Sequence, residues 1–564
     1  MTRSIDGRPV GGCGGGAAGA PPHVDRVTLE VIGAALLSIA EEMGTALIKS
    51  SYSTNIKERQ DCSTAIFDAR GEVIAQAEHI PMHLGSLLGV VQEILARYPA
   101  SALAPGDVFI SNDPYTGGGT HLPDINLISP VFADGMLFGF VANIAHHADR
   151  SADRIRTIWD EGLRITPIRL AEAGRIREDV MELLLANFAL PDQRRGDFRA
   201  QIAANRLGER RLAELIGRYG ALTVRAACEA SLAYGERKIR AAIASLPDGV
   251  WRYADAMDDD GVTPNPIPIV VTITKRGDAL ALDFSGSGPQ CAGDINVVYF
   301  ALLATVYYAL KAVLDPTIPA NGGFYRAITV TAPEGSIVNA RPPAPVAWRT
   351  QTCQRIADVV LGALAQVVPE RVPAAGNGAN CAMVFSGTDP STGKLYVYLE
   401  TLAGGAGATE TGDGLDAVQV HVTNTSNLPV EALESEYPLL VAEYALVEGS
   451  GGAGRHRGGL GLRRTIEVLG HEARFLGTTE RARLAPWGLC GGQPGGRARL
   501  VLDPGGPNER DLPPKVWGYP LKPGDRVSIE TPGAGGYGPP EERALEQRQE
   551  DERDGISRGR DDTP

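Results

Sequence analysis

His121, Asp124 and His146 are the residues of this chain whose types and spacing point most directly to chemistry. The first two lie in Gly-Gly-Gly-Thr-His-Leu-Pro-Asp, and the third opens His-His-Ala-Asp a short way on. Between them, residues 124–146 read as a β-hairpin. Asp134-Gly135 is a strong turn dipeptide, and apolar, strand-like runs flank it on both sides. A turn there pairs residues whose numbers sum to 267–269, and His121 plus His146 gives 267. The two imidazoles are therefore expected to meet at the open end of one hairpin. Pro123 cannot donate to a strand ladder, so residues 121–124 are expected to form an irregular turn that swings Asp124 alongside. Two imidazoles and one carboxylate with open positions suit a catalytic Zn, Mn or Fe ion. Such residues also cap strands and bind water, and the physics of the sequence alone leaves the two readings level.

Other stretches compete for the same chemistry. His79-Ile-Pro-Met-His83 is a rival metal pair, but Pro81 breaks the regular helical face that an HExxH site uses. His83 is instead a candidate to line the pocket as an acid, a base or a hydrogen-bond donor to substrate. Asp61, at the end of Lys57-Glu-Arg-Gln-Asp61, stands before a buried-looking strand and is a candidate general base. The glycines around Gly118 and Gly119 lack the Gly-Lys-Ser/Thr ending of a phosphate loop. They are expected to let backbone N–H groups approach a substrate or the metal's neighbours. No other stretch offers a convincing ATP site.

The elements that must position these groups follow from periodicity. A helix is expected from Asp25 to about Ser50, with apolar residues every three to four positions. A second hairpin turns at 69–71, and a helix runs over about 82–97. Residues 177–247 are helical, and the arginine-rich stretch from Asp192 to Tyr219 reads as a solvated face or, alternatively, a partner-docking surface. Strands are expected at 267–274 and 279–284, and helices at about 296–314 and 352–367. Beyond residue 440 short strands and Gly/Pro turns dominate, with strands at 465–469 and 526–530. The fold class is α+β and multidomain, with mixed helices, antiparallel sheets and a β-rich C-terminal part. The expected division is a flexible tail at 1–24, a metal-bearing α+β domain at 25–247, a central α/β region at 248–440, a β-rich region at 441–540 and a disordered charged tail at 541–564.

Composition bounds the function. The chain has 564 residues, 43% apolar and 22% charged, with a net charge of −14 and a mean hydropathy of −0.09. That charge, with no basic or aromatic-interleaved patch, argues against nucleic-acid binding. The run Val297 to Leu310 is too short to cross a bilayer and reads as a core helix, so no membrane association is expected. Seven cysteines without CxxC spacing fit a reducing, cytoplasmic setting.

The motifs together resemble a known family. Asn55-Ile-Lys-Glu-Arg-Gln-Asp61, His79-Ile-Pro-Met-His-Leu-Gly85, Asn112-Asp-Pro-Tyr115, Gly118-Gly-Thr-His-Leu-Pro-Asp124 and Ala145-His-His-Ala-Asp149 are similar to those of the hydantoinase B / oxoprolinase family. Further matches run through Glu161-Gly-Leu-Arg-Ile165, Asn205-Arg-Leu-Gly-Glu-Arg210, Thr423-Asn-Thr425 and Pro532-Gly-Ala-Gly-Gly-Tyr-Gly538, so the resemblance covers roughly 25–540. It implies a subunit of an ATP-dependent hydrolase of cyclic amides (hydantoins, 5-oxoproline, lactams). In that reading ATP is handled by a separate actin-like, hydantoinase A-type subunit in a hetero-oligomer. It also implies a divalent ion, Zn or Mn, on His121, Asp124 and His146, with Asp61 or His147 as general base or orienting group and His83, Asn112, Gly118 and Gly119 near the substrate. The alternatives are a ketone carboxylase subunit and a non-catalytic scaffold. One departure stands out: after Asp149 the family's longer Gly-, Pro- and Met-containing loop is replaced by the short, charged stretch from Arg150 to Asp160.

Overall fold

The computed structural model describes residues 24–77, 79–147 and 152–556. The expected N-terminal tail lies, apart from Val24, outside the described residues, as do residues 148–151 of the short segment after His147.

The site is built on a seven-stranded antiparallel sheet. Its strands are β1 (Cys62–Asp68), β2 (Val73–Gln76), β3 (Val108–Ser111), β4 (Asp124–Ala133), β5 (Met136–His146), β6 (Ile168–Glu172) and β7 (Arg175–Ile176). They lie in the order β2-β1-β5-β4-β3-β6-β7. Both expected hairpins form. Asp134 and Gly135 have φ of 50° and 74°, the left-handed pair that a tight two-residue hairpin turn requires. The register differs from the expected one. Next to the turn the paired numbers sum to 269, and a bulge between Val131 and Phe132 raises the sum to 270, so Asp124 stands opposite His146 and His121 lies three residues beyond the pairing.

Side-chain alternation gives this sheet two buried faces. Ile66, Val131 and Val141 pack under the helix Arg26–Ser50 and its neighbours, against Ile32, Leu36, Met43 and Leu212. Phe67, Phe140, Ala142 and Ile144 face the opposite way, toward the helix Val90–Arg97. The helix Arg26–Ser50 is long and apolar enough to cross a membrane by composition, but its apolar stripe is consumed by this contact.

The expected helix over 82–97 is broken into Pro81–Ser86 and Val90–Arg97. The interruption goes with a close approach: a Cβ on Gly85 would stand 2.3 Å from the Phe300 carbonyl oxygen and 2.5 Å from Ala304 Cβ. Those residues belong to the apolar helix Tyr299–Leu314, which forms as expected. Residues 177–247 form three helices, Glu178–Leu185, Pro191–Tyr219 and Ala221–Ala244.

A four-stranded sheet follows, with Ile328–Thr331 parallel to Ala279–Asp283 and then Ile267–Arg276 and Gly249–Met257 antiparallel. The next helix runs Arg349–Leu364, about one turn earlier than the apolar pattern indicated, because its first turns bury polar side chains. Two further antiparallel sheets complete the chain. One is ordered Leu395–Leu402, Cys381–Thr388, Ala473–Thr478, Lys515–Leu521, and the other is centred on Leu462–Val468 and Arg526–Glu530. Phe385, Phe475, Ile466 and Val527 share the core between them.

The charged segment after residue 540 departs from the expected disorder as far as residue 556; residues 557–564 of that expected tail lie outside the described residues. The segment forms a helix, Leu545–Arg553, in which Asp551 is buried and pairs with Arg543 at 2.7 Å and Arg457 at 3.5 Å.

Candidate metal centre

His121, Asp124 and His146 converge. One donor atom from each lies within 4.8 Å of the others, and all three side chains are buried. Strand geometry explains two of them: Asp124 opens β4, His146 closes β5, and the two are directly paired. His121 arrives through the irregular turn at Pro123, where the Asp124 N–H donates to the His121 carbonyl at 3.3 Å. The imidazole rings of His121 and His146 stand 4.9 Å apart, centroid to centroid.

The set fits a divalent ion. His121 Nε2 is 3.0 Å from Asp124 Oδ1, and adjacent ligands on an ion with bonds of about 2.0–2.2 Å stand roughly 3 Å apart. Protonation also agrees, since ligands must be free of protons. Burial, with Arg349 nearby, pulls His121 down to about 4. Burial and the neighbouring His121 hold His146 well below the usual imidazole range. Burial alone would raise Asp124, but His121 and Arg349 outweigh it and keep its carboxyl well below the usual value.

Surrounding groups fix these side chains. The other oxygen of Asp124 accepts from Arg349 Nη2 at 2.7 Å and Thr120 Oγ1 at 2.9 Å, and Arg349 Nε donates to the same threonine at 2.7 Å. His121 Nδ1 lies 3.1 Å from the Ala347 carbonyl oxygen, and His146 Nδ1 lies 3.3 Å from Asn55 Nδ2. Bonds of this kind orient metal-binding imidazoles and carboxylates. The trio opens onto a cavity of about 140 Å³. Its walls come from widely separated parts of the chain: Arg59, Asp61 and His83, then Glu161, then Arg349 and Asn380, and finally Leu476.

Asp61 and His83 share this cavity. His83 Nε2 lies 3.6 Å from Asp61 Oδ1 and 3.8 Å from Asp124 Oδ1, and its Nδ1 is 3.0 Å from Ser63 Oγ. Burial pushes the Asp61 carboxyl up, which gives it the affinity for a proton that a base needs.

The family model for hydantoinase B/oxoprolinase matches residues 25–540. The chain belongs to that family. Within it, the chain is 33% identical to caprolactamase subunit beta of Pseudomonas jessenii, over 94% of each chain. The crystal structure of the ATP-dependent caprolactamase from that organism superposes with a TM-score of 0.89 at 32% identity, covering 95% of both chains. 5-Oxoprolinase 1 of Arabidopsis thaliana is 33% identical over 91% of this chain, which spans 42% of that longer protein. A nucleotide-free acetone carboxylase chain shares the fold, with a TM-score of 0.84 and 17% identity over 95% of this chain and 78% of that one. The family's named members are thus ATP-dependent hydrolases of the oxoprolinase and caprolactamase type.

Several residues that the family motifs suggest for the site lie outside the cavity. His147 is one residue beyond His146 and therefore points to the opposite face of the sheet. There it packs 4.9 Å from the Phe198 ring and its Nε2 meets Gln201 Oε1 at 3.0 Å, so it is not placed to act as a base. Asn112 spends its amide on backbone: it donates to Leu122 and Leu163 carbonyls at 2.8 and 2.9 Å and accepts from the Ile165 N–H at 2.6 Å. It clamps the His121 turn rather than touching substrate. Gly118 and Gly119 are required by close packing instead. A Cβ on Gly118 would meet Ser111 Oγ at 2.1 Å, and one on Gly119, at φ 142°, would stand 3.1 Å from the Asp124 carbonyl oxygen. His79 turns away to pack on Gly44. No cysteine lines the cavity among the described residues.

Arg349 is the functional residue that periodicity missed, because it reaches Asp124 from 225 positions away. The available signal was the polar start, Arg349-Thr-Gln-Thr-Cys-Gln, of an otherwise apolar helix.

Proposed function

We propose that this chain is the metal-bearing subunit of a cytoplasmic, ATP-dependent cyclic amide hydrolase, opening a hydantoin, 5-oxoproline or lactam ring with a hydantoinase A-like ATPase as partner. The observation that carries this reading is the convergence of His121, Asp124 and His146 with Asp61 and His83 on one cavity. The family membership supports it.

His121, Asp124 and His146 would hold a zinc or manganese ion, which supplies Lewis acidity toward a carbonyl or water oxygen. The partner transfers a phosphoryl group from ATP to the amide oxygen, releasing ADP. Asp61 takes a proton from the water that adds to the activated ring carbon. The ring C–N bond then breaks, the nitrogen leaving with a proton. A second water converts the resulting acyl phosphate to carboxylate and inorganic phosphate. His83, between Asp61 and Asp124, is placed to relay or hold the proton that Asp61 receives. Arg349 keeps Asp124 ionised and aimed.

The test is the chain reconstituted with its ATPase partner and assayed for ring opening with metal content measured in parallel. His121→Ala is expected to lose bound transition metal and ring opening while the partner's nucleotide binding is unchanged. Ring opening retained in metal-depleted His121→Ala sinks the assignment. Ketone- and bicarbonate-dependent ATP consumption in place of ring opening would make the chain a carboxylase subunit.

A further inference from the structure

Arg59 carries a buried positive charge that forms no contact ion pair among the described residues; the Asp61 carboxylate, two residues on, acts on it only at longer range. The residue is 2% exposed. Its Nη1 donates to Asn55 Oδ1 at 3.3 Å and the Leu399 carbonyl at 3.2 Å, and its Nη2 donates to Thr401 Oγ1 at 3.0 Å. All three acceptors are neutral, and the Nε–H has no hydrogen-bond partner. No ion pair within 4.0 Å joins this guanidinium to a carboxylate among the described residues.

The other buried arginines of the protein are different. Arg349 is matched by Asp124, Arg464 by Glu400, and Arg481 by Asp358 and Asp255. A guanidinium removed from water without a counter-ion is costly, and such a charge is retained where something else supplies the anion. Arg59 faces the cavity of the metal trio and also lines a second one bounded by Ser53, Tyr398 and Tyr437. Asn55 bridges it to the trio: the same side-chain amide meets Arg59 on one side and His146 on the other.

We propose that Arg59, with the Thr401 hydroxyl, is the seat of a phosphoryl group borne by a substrate that enters the metal cavity already phosphorylated. The planar guanidinium fork matches phosphoryl oxygens, and its free Nε–H supplies an unused donor. Thr401 has a second partner, Thr425 Oγ1 at 3.0 Å, so its hydroxyl is held in place at the cavity wall. The anion completes a contact ion pair that Arg59 lacks among the described residues. It also places the phosphorylated end of the substrate one amide away from the metal ligands.

This assignment rests on the phosphorylated-substrate reading above, and its test does not use ring opening. Inorganic phosphate and, separately, acetate are titrated calorimetrically into the full chain and into Arg59→Met, Arg59→Lys, Thr401→Val and His121→Ala. Circular dichroism checks that each variant is folded. The expected result is phosphate binding that falls roughly tenfold or more in Arg59→Met and less in Arg59→Lys, a loss consistent with one charge-assisted contact. Thr401→Val, which leaves the charge in place, weakens it severalfold and serves if Arg59→Met does not fold. His121→Ala keeps phosphate binding although it has lost its metal, which separates this site from the trio. A wild-type chain that binds phosphate through Arg59 but holds no transition metal would defeat the proposed hydrolase centre and leave this site standing. The phosphoryl assignment is overturned if Arg59→Met and Thr401→Val bind phosphate as the wild type does, or if the wild type binds none. It is equally overturned if acetate binds as tightly as phosphate with the same dependence on Arg59, which would make the residue a carboxylate seat.

Discussion

Glu161 faces the cavity with one oxygen accepting from the Val346 N–H and the other, Oε2, without a hydrogen bond. Burial pushes its carboxyl up to about 8, well above the 4.5 of the exposed group. Below about pH 4.5 folded and unfolded chains both hold the proton, and pH has no leverage. Between there and 8 only the unfolded chain gives the proton up, so stability falls as pH rises and levels off above 8. Glu161→Gln mimics the protonated carboxyl. It is expected to match the wild type near pH 4.5 and exceed it by on the order of a few kcal/mol at pH 8. Urea unfolding of both proteins across that range checks this, and equal stabilities at pH 8 would mean that Glu161 is ionised in the fold. A neutral carboxylic acid in the cavity is also a proton donor at physiological pH, suited to the nitrogen that would depart in the proposed ring opening.

At the scale of elements, the short helix Pro81–Ser86 carries His83 into the cavity, and its position depends on Gly85 lying against the helix Tyr299–Leu314. Gly85→Ala forces a methyl group onto the Phe300 carbonyl. A stability loss of about 1–3 kcal/mol is expected, with His83 displaced from Asp61. The displacement would be seen as a changed His83 imidazole shift by NMR. This dependence also shows how far sequence alone reaches. Asp134-Gly135 announced the hairpin, and the residues at its mouth announced their convergence, because both are local facts. The one-residue register change was invisible because it comes from a bulge at Val131, where nothing in the residue types marks it. The break after Ser86 was hidden for another reason: it goes with packing against a helix more than two hundred positions later. His147 and Asn112 were misplaced because a motif names residues without saying which face of the sheet they occupy. Arg349 and Glu161 reach the cavity through contacts that periodicity cannot encode.

At the scale of the whole molecule, the second and third sheets are joined by a buried charge network. Glu480 receives Lys515 Nζ at 2.6 Å and Arg355 Nη2 at 3.4 Å, and Lys515 also reaches Asp259 at 3.3 Å. All of these groups are buried, so the network holds only while its charges balance. Glu480→Gln leaves Arg355 and Lys515 short of one negative charge. A loss of about 3–5 kcal/mol is expected, the usual consequence of breaking a buried pair from one side. Differential scanning calorimetry would register it as a lowered unfolding temperature. A variant as stable as the wild type would show that Asp255 and Asp259 suffice.

The bond from Arg349 to Asp124 has a consequence in time. During synthesis, His121, Asp124 and His146 are all translated before Arg349, which follows His146 by 203 residues. At the usual pace of translation that interval is roughly 10–40 s. For that interval a nascent chain holds three donors without the guanidinium that keeps their carboxylate ionised and aimed. The proposed metal centre would therefore mature only after the second half of the polypeptide has docked, and a cell short of the right cation would have that window in which to load the wrong one.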